Sequence, residues 1–337
     1  MYTMFAVRVS QFPALVSSIG KSVLCHGSKL KLFTRVQTYA NEARSARLLR
    51  RKAETRTLKE TLTAPGGETA ISMGRGLVAG ASALGIGALC YYGLGMSKEV
   101  GALEKSILWS PEVRRRMRDT YMYFAASVGV TAAAAVVASR SPRLMALMST
   151  RPLLFLFGSY VAMIGSGAVC HSIPYKSGFG TKQLAWLAHA GIIGAVVAPI
   201  TFLGGPILVR AAWYTVGVIG GLSTIAMCAP SEKFLNMAGP LACGLGVVLV
   251  SSIGTFFLPA TSALGAGLYS ISVYGGLVLF SMFLLYDTQK IIKKAETHPT
   301  YALTPYDPIN ASTGIFLDTL NIFIRIAYIL AGNRRKK

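Results

Sequence analysis

Long apolar runs, broken by short polar segments, occupy most of the chain after residue 75. A helix that crosses the hydrocarbon core of a bilayer needs about 20 mainly apolar residues. Eight runs approach or exceed this length, and they cover residues 76–96, 120–139, 152–170, 184–203, 207–228, 238–258, 264–286 and 309–330. The pattern therefore predicts an all-α polytopic membrane protein with eight spans.

The first apolar run stands apart from the other seven. It is rich in glycine, and the charged segment 97–119 separates it from the next run. We interpret it as an additional N-terminal transmembrane helix ahead of a seven-span core, within a transmembrane domain of residues 70–337. The small-residue patterns at 76–80 and 81–85 suggest close contacts with other helices, because small side chains let helix backbones approach in lipid.

The composition agrees with a lipid bilayer as the main partner. Hydrophobic residues make up 53% of the 337 residues and charged residues only 14%, whereas soluble domains carry about 25% charged residues. The net charge of +21 does not indicate nucleic-acid binding, because the basic residues lie mainly in the N-terminal segment, the loops and the C-terminus. They are placed to meet anionic lipid headgroups, and their distribution over the loops leaves the orientation in the membrane open.

The N-terminal segment has the composition of a targeting sequence. Residues 1–41 contain five Lys or Arg, no Asp or Glu, and many hydroxyl side chains. This composition is typical of a mitochondrial transit peptide, and a basic disordered tail is the alternative. Residues 42–63 alternate in charge at helical spacing, which indicates a solvated helix. We therefore predict a transit peptide and a basic polar segment over residues 1–63, without a defined cleavage point.

An aspartate inside the last apolar run is the first candidate functional residue. A charge within the hydrocarbon costs about 2.5–3.5 kcal/mol even on insertion scales, so such residues usually face the bundle interior and serve a function. Asp318 forms one helical stripe with Gly314, Asn321 and Arg325. Arg325 lies two turns from Asp318, roughly 10 Å along the helix, so the sequence predicts a partner for Asp318 on another helix.

Asp287, at the end of the preceding run, is the candidate partner. It precedes Lys290 and Lys294, and pairing with a lysine in the last turn of its helix is the alternative to a site shared with Asp318. A carboxylate near a helix C-terminus is disfavoured by the helix dipole, which leaves both interpretations open. If the two aspartates meet, they titrate as one unit, share a proton when protonated, and repel each other or take up a hard cation such as calcium when ionised.

Other candidate chemistry is sparse. His189 is a second ionisable group inside a span, and a neutral, hydrogen-bonded packing role is favoured over a proton relay. Ser166 has no G-x-S-x-G arrangement, and no pattern supports its pairing with His171 or His189. The five cysteines lack metal-ligand spacing, and nucleotide and zinc motifs are missing from the sequence. We therefore expect neither an enzyme nor a bound cofactor.

Several motifs resemble one family of membrane proteins. They are "LLYDTQ" at 284–289, "LDTLNIFIRI" at 317–326, "HSIPY" at 171–175 and the long stretch 203–237. Over about residues 70–337, the chain resembles the mitochondrial branch of the Bax inhibitor-1 family. The resemblance implies a seven-helix bundle with the last helix at its centre.

The resemblance also implies a site and a function. Asp287 and Asp318 correspond by motif to a di-aspartyl pH sensor. From the sequence pattern itself, and not from the resemblance, we add Asn321, Arg325 and His189 as candidate supporting polar residues. The implied activity is pH-dependent calcium leak or calcium/proton exchange, with calcium and protons as the transported ions. The implied setting is the inner mitochondrial membrane, with roles in cristae organisation, cytochrome c retention and restraint of apoptosis, and with cytochrome c and other inner-membrane proteins as partners.

One family feature is missing. Some members carry an arginine on the second core helix that latches the aspartyl pair. Residues 152–170 contain no arginine, and Arg151 lies at the edge of that span. The sequence therefore supports the aspartyl pair without the latch. It also leaves two functions open, a calcium transporter and a membrane scaffold that maintains cristae and retains cytochrome c without transporting ions.

Overall fold

The computed structural model describes residues 69–93, 101–230, 232–259, 261–299 and 304–334. The transit peptide and the polar segment predicted for residues 1–63 lie outside this part of the chain and stay predictions. The α-helices are α1 Thr69–Gly93, α2 Ala102–Lys105, α3 Pro111–Ser139, α4 Pro142–Thr150, α5 Pro152–Ser172, α6 Thr181–Val197, α7 Gly205–Cys228, α8 Ala238–Phe257, α9 Ala263–Ser270, α10 Gly276–Thr297 and α11 Pro308–Arg334.

Eight of the described helical segments are long and apolar enough to cross a membrane. They are Ala70–Tyr92, Pro111–Ser139, Leu153–Ser172, Thr181–Leu203, Gly205–Cys228, Leu235–Phe257, Ala263–Thr297 and Pro308–Gly332. In the described ranges, β-structure is limited to one isolated bridge between Gly101 and Pro230. The prediction of an all-α, multi-pass membrane protein with eight spans is confirmed.

Two predicted span boundaries differ most from the structure. The second span begins at Pro111 rather than at residue 120, because Ser110 accepts a hydrogen bond from the backbone of Val113 and Pro111 occupies the first helical position, both typical of a helix start. The seventh span continues to Thr297 rather than ending at 286. In both cases the helix extends beyond its apolar run through residues that are charged.

The seventh span contains a change of helix type. A π-helical turn at Ile271–Gly275 joins α9 to α10. Such turns often occur at functional positions, because the wide turn alters the backbone hydrogen bonding and the direction of side chains.

The last helix, α11, lies in the interior of the bundle. It packs against α3, α7 and α10, and the side chains of Ile309, Ile315, Ile322 and Ala327 are fully buried. This position agrees with the central last helix that the family resemblance implies, and it places Asp318 among other helices rather than toward lipid.

The additional first helix, α1, contacts the core at Gly74, which lies outside the two small-residue patterns at 76–80 and 81–85. A Cβ atom at Gly74 would overlap Ser270 and Tyr274, and Ser270 Oγ donates a hydrogen bond of 2.7 Å to the carbonyl of Ala70. At Gly76 and Gly80, a Cβ atom would meet no neighbour within 4 Å. The expectation of close contacts at these two glycines of the 76–80 pattern is therefore wrong.

A buried ion pair joins two segments at one end of the bundle. Lys182, in the first turn of α6, is 2% exposed, and its Nζ lies 2.5 Å from Asp307 Oδ2. Lys182 also donates to the carbonyl of Ile173 at 2.8 Å, while Asp307 Oδ1 accepts a hydrogen bond from the backbone of Asn310 in the first turn of α11. The pair therefore fastens the α5–α6 segment to the start of the central helix. We call the end of the bundle that contains the Lys182–Asp307 pair the loop end.

Candidate functional site

Asp318 lies on the face of α11 that is turned into the bundle. Its side chain is 5% exposed, and its Oδ2 atom is buried without a hydrogen-bond partner among the described residues. A buried oxygen of this kind is costly unless a proton, a water molecule or a cation satisfies it. This oxygen is therefore one of the few buried side-chain acceptors of the described residues that lack a protein partner.

Asp287 lies on α10, opposite a glycine of α11. A Cβ atom at Gly314 would overlap the Asp287 carboxylate, so the absence of a side chain at Gly314 lets the carboxylate reach the backbone of α11. Lys290 Nζ is 3.9 Å from Asp287 Oδ1. The pairing with Lys290, which the sequence offered as an alternative, is thus present as a long contact.

The two carboxyl groups are neighbours. The Asp287 carboxylate lies against Gly314, one helical turn before Asp318 on the same face of α11, so the two acidic side chains are neighbours whose charges interact. Asp287 thus lies near Asp318 and also near Lys290. The two interpretations of Asp287 from the sequence, a site shared with Asp318 and a pairing with a lysine of its own helix, do not exclude one another. Two adjacent carboxyl groups can share a proton, and when both are ionised they attract a cation.

The pair fits calcium only as part of a larger coordination shell. Calcium takes 6–8 oxygen ligands, whereas the described residues contain no cluster of three or more Asp, Glu, His or Cys side chains. Asp287 and Asp318 can supply carboxylate oxygens, and the remaining ligands would be water or backbone carbonyls.

Arg325 does not contact the aspartyl pair. It is 9% exposed, and it donates to the carbonyl of Ser272 at 3.1 Å and to the Asn321 carbonyl and side-chain oxygens at 3.1 and 2.8 Å. Its guanidinium carbon lies 4.5 Å from the centre of the Phe280 ring, a cation–π distance. As expected from their spacing, the described residues show no ion pair between Arg325 and Asp318.

Arg325 is accommodated by two features of the neighbouring helix. Ser272 belongs to the π-helical turn, and a Cβ atom at Gly276 would overlap Arg325 Nε. The sequence indicated Asn321 and Arg325 as polar supports but missed that Gly276 makes room for the guanidinium. The arginine that latches the aspartyl pair in some family members has no counterpart within α5. Arg151, which precedes that helix, is exposed.

His189 is buried and hydrogen-bonded, with its Nδ1 atom 2.8 Å from Ser166 Oγ. No sequence pattern supported a pairing of Ser166 with His189, but α5 and α6 pack side by side and bring the two residues together. Ser166 Oγ also donates to the Met163 carbonyl at 3.2 Å. No acid bonds His189 within the described ranges, so this contact lacks the third group that orients a catalytic histidine, and packing accounts for it.

Gln289 is a further polar residue that the sequence analysis overlooked. It is 1% exposed, donates to the carbonyls of Ala226 and Pro230 at 3.2 and 2.8 Å, and accepts from the Phe234 backbone at 2.8 Å. It therefore fastens the segment after α7 to α10, in the same stretch of helix as Asp287. Its place in the "LLYDTQ" motif was the available signal.

Comparisons with known proteins agree with the fold. Residues 113–335 match the family described as "Inhibitor of apoptosis-promoting Bax1". The chain is 58% identical over 266 residues to growth hormone-inducible transmembrane protein of Rattus norvegicus, which covers 79% of this chain and 77% of that protein. It is 29% identical over 233 residues to Bax inhibitor 1 of Homo sapiens, covering 68% of this chain and 90% of that protein. The chain belongs to the Bax inhibitor-1 family.

Proposed function

We propose that the protein carries calcium across its membrane in a pH-dependent manner, coupled to protons, through the site formed by Asp287 and Asp318. The observation that supports this most is the position of the Asp287 carboxylate against Gly314, one turn from the buried Asp318, at the contact of α10 and α11. A buried acidic pair inside a membrane bundle is costly, and it is usually retained for ion or proton handling. We assign the chain no enzymatic activity.

The charge state of the pair is the proposed switch. With a proton shared between the two carboxyls, α10 and α11 are held together and the path is closed. When both groups are ionised they repel each other across the contact at Gly314, and calcium replaces the lost proton. Acidification of the side from which the site is reached therefore opposes calcium passage, because protons and calcium compete for the same oxygens.

The test is calcium flux from liposomes that contain the purified full-length protein, measured over a range of pH. Flux that falls on acidification in the wild type, and that loses this pH dependence in Asp287→Asn and Asp318→Asn, supports transport. The exposed acid Glu104 offers a control, since Glu104→Gln leaves the site intact. Absence of flux in folded protein would refute transport and favour the alternative, a scaffold that maintains cristae and retains cytochrome c.

We further infer an inner mitochondrial location, with roles in cristae organisation and in restraint of apoptosis. The basic, acid-free composition of residues 1–41 supports the location. The family description as an inhibitor of apoptosis-promoting Bax1 supports the last role. A reporter fused to residues 1–41 should enter mitochondria, and a reporter that stays in the cytosol or enters the secretory pathway would refute the targeting inference.

A further inference from the structure

A cavity of about 1070 Å³ opens at the loop end of the bundle. Its walls come from the start of α3, the α5–α6 segment and the α10–α11 segment. Neither Asp287 nor Asp318 lines it. It is therefore a second polar site, separate from the aspartyl pair.

The acidic side chains in the cavity wall already have cationic partners. The N–O distances are 3.0 Å for Glu112 with Arg115, 3.3 Å for Asp119 with Arg118, and 2.5 Å for Asp307 with Lys182. These pairs leave little negative charge to attract a cation. The cavity is thus poorly suited to calcium, although three carboxylates line it.

Three cations in the wall have no acidic partner among the described residues: Arg116, Lys176 and Lys294. Arg116 is 9% exposed, and its Nη1 atom donates to the carbonyls of Ala295 and His298 at 3.0 and 2.8 Å. These two bonds fix the guanidinium in place, while its Nε and Nη2 atoms make no hydrogen bond within the described ranges. Lys176 and Lys294 are exposed, so their ammonium groups can move toward a ligand.

Two tyrosines in the wall stay neutral at physiological pH. Burial raises the pKa of Tyr175 to about 12, and burial also raises the pKa of Tyr306 above its ordinary value. Their hydroxyl groups therefore add no negative charge to the cavity. The charge that remains after pairing is positive, and the cavity lies at the ends of several candidate membrane-spanning helices.

We propose that this cavity binds a phosphate-bearing anion, with Arg116 as the fixed anchor and Lys176 and Lys294 as flexible contacts. The guanidinium fork matches phosphate oxygens, and lysine adds point charges around them. Basic pockets between membrane helices commonly hold anionic headgroups. The headgroup of an anionic phospholipid and free phosphate share this chemistry, and the experiment below distinguishes them.

The experiment measures the unfolding temperature of the full-length protein in detergent. One arm adds short-chain phosphatidylglycerol, with the zwitterionic phosphatidylcholine for comparison. The other adds inorganic phosphate, with chloride at equal ionic strength for comparison. A ligand that binds only the folded state raises this temperature in a saturable manner, so the titration gives an apparent affinity.

The Lys176→Gln/Lys294→Gln double variant tests the site while leaving the helix-capping contacts of Arg116 in place. We expect it to weaken the apparent affinity about tenfold or more, since each basic residue near a membrane surface contributes appreciably to anion attraction. The matched control is Lys293→Gln. Lys293 is exposed, adjacent in sequence and on the same helix, but it pairs with Glu232 and does not line the cavity.

Saturable stabilisation by phosphatidylglycerol alone would identify a lipid headgroup, and stabilisation by inorganic phosphate would identify a free phosphate ligand; both support the site. No saturable effect of either would overturn the inference. Equal weakening in Lys293→Gln, or full affinity in the double variant, would overturn it as well. These outcomes do not depend on calcium flux, so this inference and the proposed transport function can fail separately.

Discussion

The Asp287 carboxylate lies against the backbone of Gly314, so that α10 and α11 touch at the position of the acidic pair. Any side chain at Gly314 would occupy the space of a carboxylate oxygen. The contact therefore links the packing of the two helices directly to the chemistry of the site, and it can be probed without removing either aspartate.

Gly314→Ala should destabilise the protein by about 1–3 kcal/mol, because the added methyl group overpacks a close helix contact, and it should alter the pH dependence of calcium flux. Gly332→Ala is the matched control on the same helix, since a Cβ atom there would meet no neighbour within 4 Å. Unfolding temperature and liposome flux measure the two effects. Identical behaviour of the two variants would contradict the contact.

Asp287→Asn and Asp318→Asn should flatten the pH dependence of flux, and the double variant should resemble the more severe single. The reason is that the charges of the two neighbouring carboxyl groups interact and the groups act as one unit, which makes their effects non-additive. The measurement is calcium flux against pH for both singles and the double. Additive effects would mean that the aspartates act independently.

His189→Gln should preserve most of the pH dependence of flux, because the hydrogen bond of His189 to Ser166 indicates a packing role. We expect a loss of stability of about 1 kcal/mol from this bond, and a similar loss in Ser166→Ala. Flux and chemical unfolding are measured on both variants. If the pH response disappears in folded His189→Gln protein, the histidine belongs to the transport mechanism.

Gln289→Leu should destabilise the protein by at least about 2 kcal/mol, because it leaves one buried carbonyl, one partly buried carbonyl and one partly buried N–H without their partner. Chemical unfolding provides the measurement. Thr297→Ala, at an exposed position near the end of the same helix, is the control and should change stability little. Equal unfolding midpoints for the two variants would show that Gln289 does not fasten the segment after α7.

Glu232 should titrate at a lower pH than an ordinary glutamate. Lys293 lowers its pKa through a hydrogen bond and by its charge, so the small contribution to stability is present at neutral pH and is lost as the pH falls through the lowered pKa. Carboxyl NMR titration measures this directly. Lys293→Gln, or high salt, should move the pKa back upward, and an unchanged titration would contradict the pairing.

Much of the architecture could be predicted, because a membrane span needs a long apolar run and such runs are visible in the sequence. The residues at which the spans begin and end were harder to predict. At Pro111 and Thr297 the helix extends beyond its apolar run, because backbone hydrogen bonding and a side-chain cap decide where a helix ends, and hydropathy does not report on either.

The acidic residues of the candidate site were visible, since a carboxylate in an apolar run is rare. Their neighbours were harder to predict. Gly276 and Gly314 resemble any other glycine of a membrane helix until the helix that faces them is known. The contact of Ser166 with His189 likewise depends on how α5 and α6 are aligned, which periodicity within one helix does not determine.

The ion pair between Lys182 and Asp307 has a consequence for biogenesis. Lys182 is synthesised with the third core span, long before Asp307 emerges ahead of the last helix. Until then its ammonium group lacks the carboxylate that neutralises it in the finished bundle, and it must remain in contact with water or headgroups. The contact between Lys182 and Asp307 therefore forms only after the last helix has been made, and a chain truncated before residue 307 would leave the Lys182 ammonium group without its carboxylate.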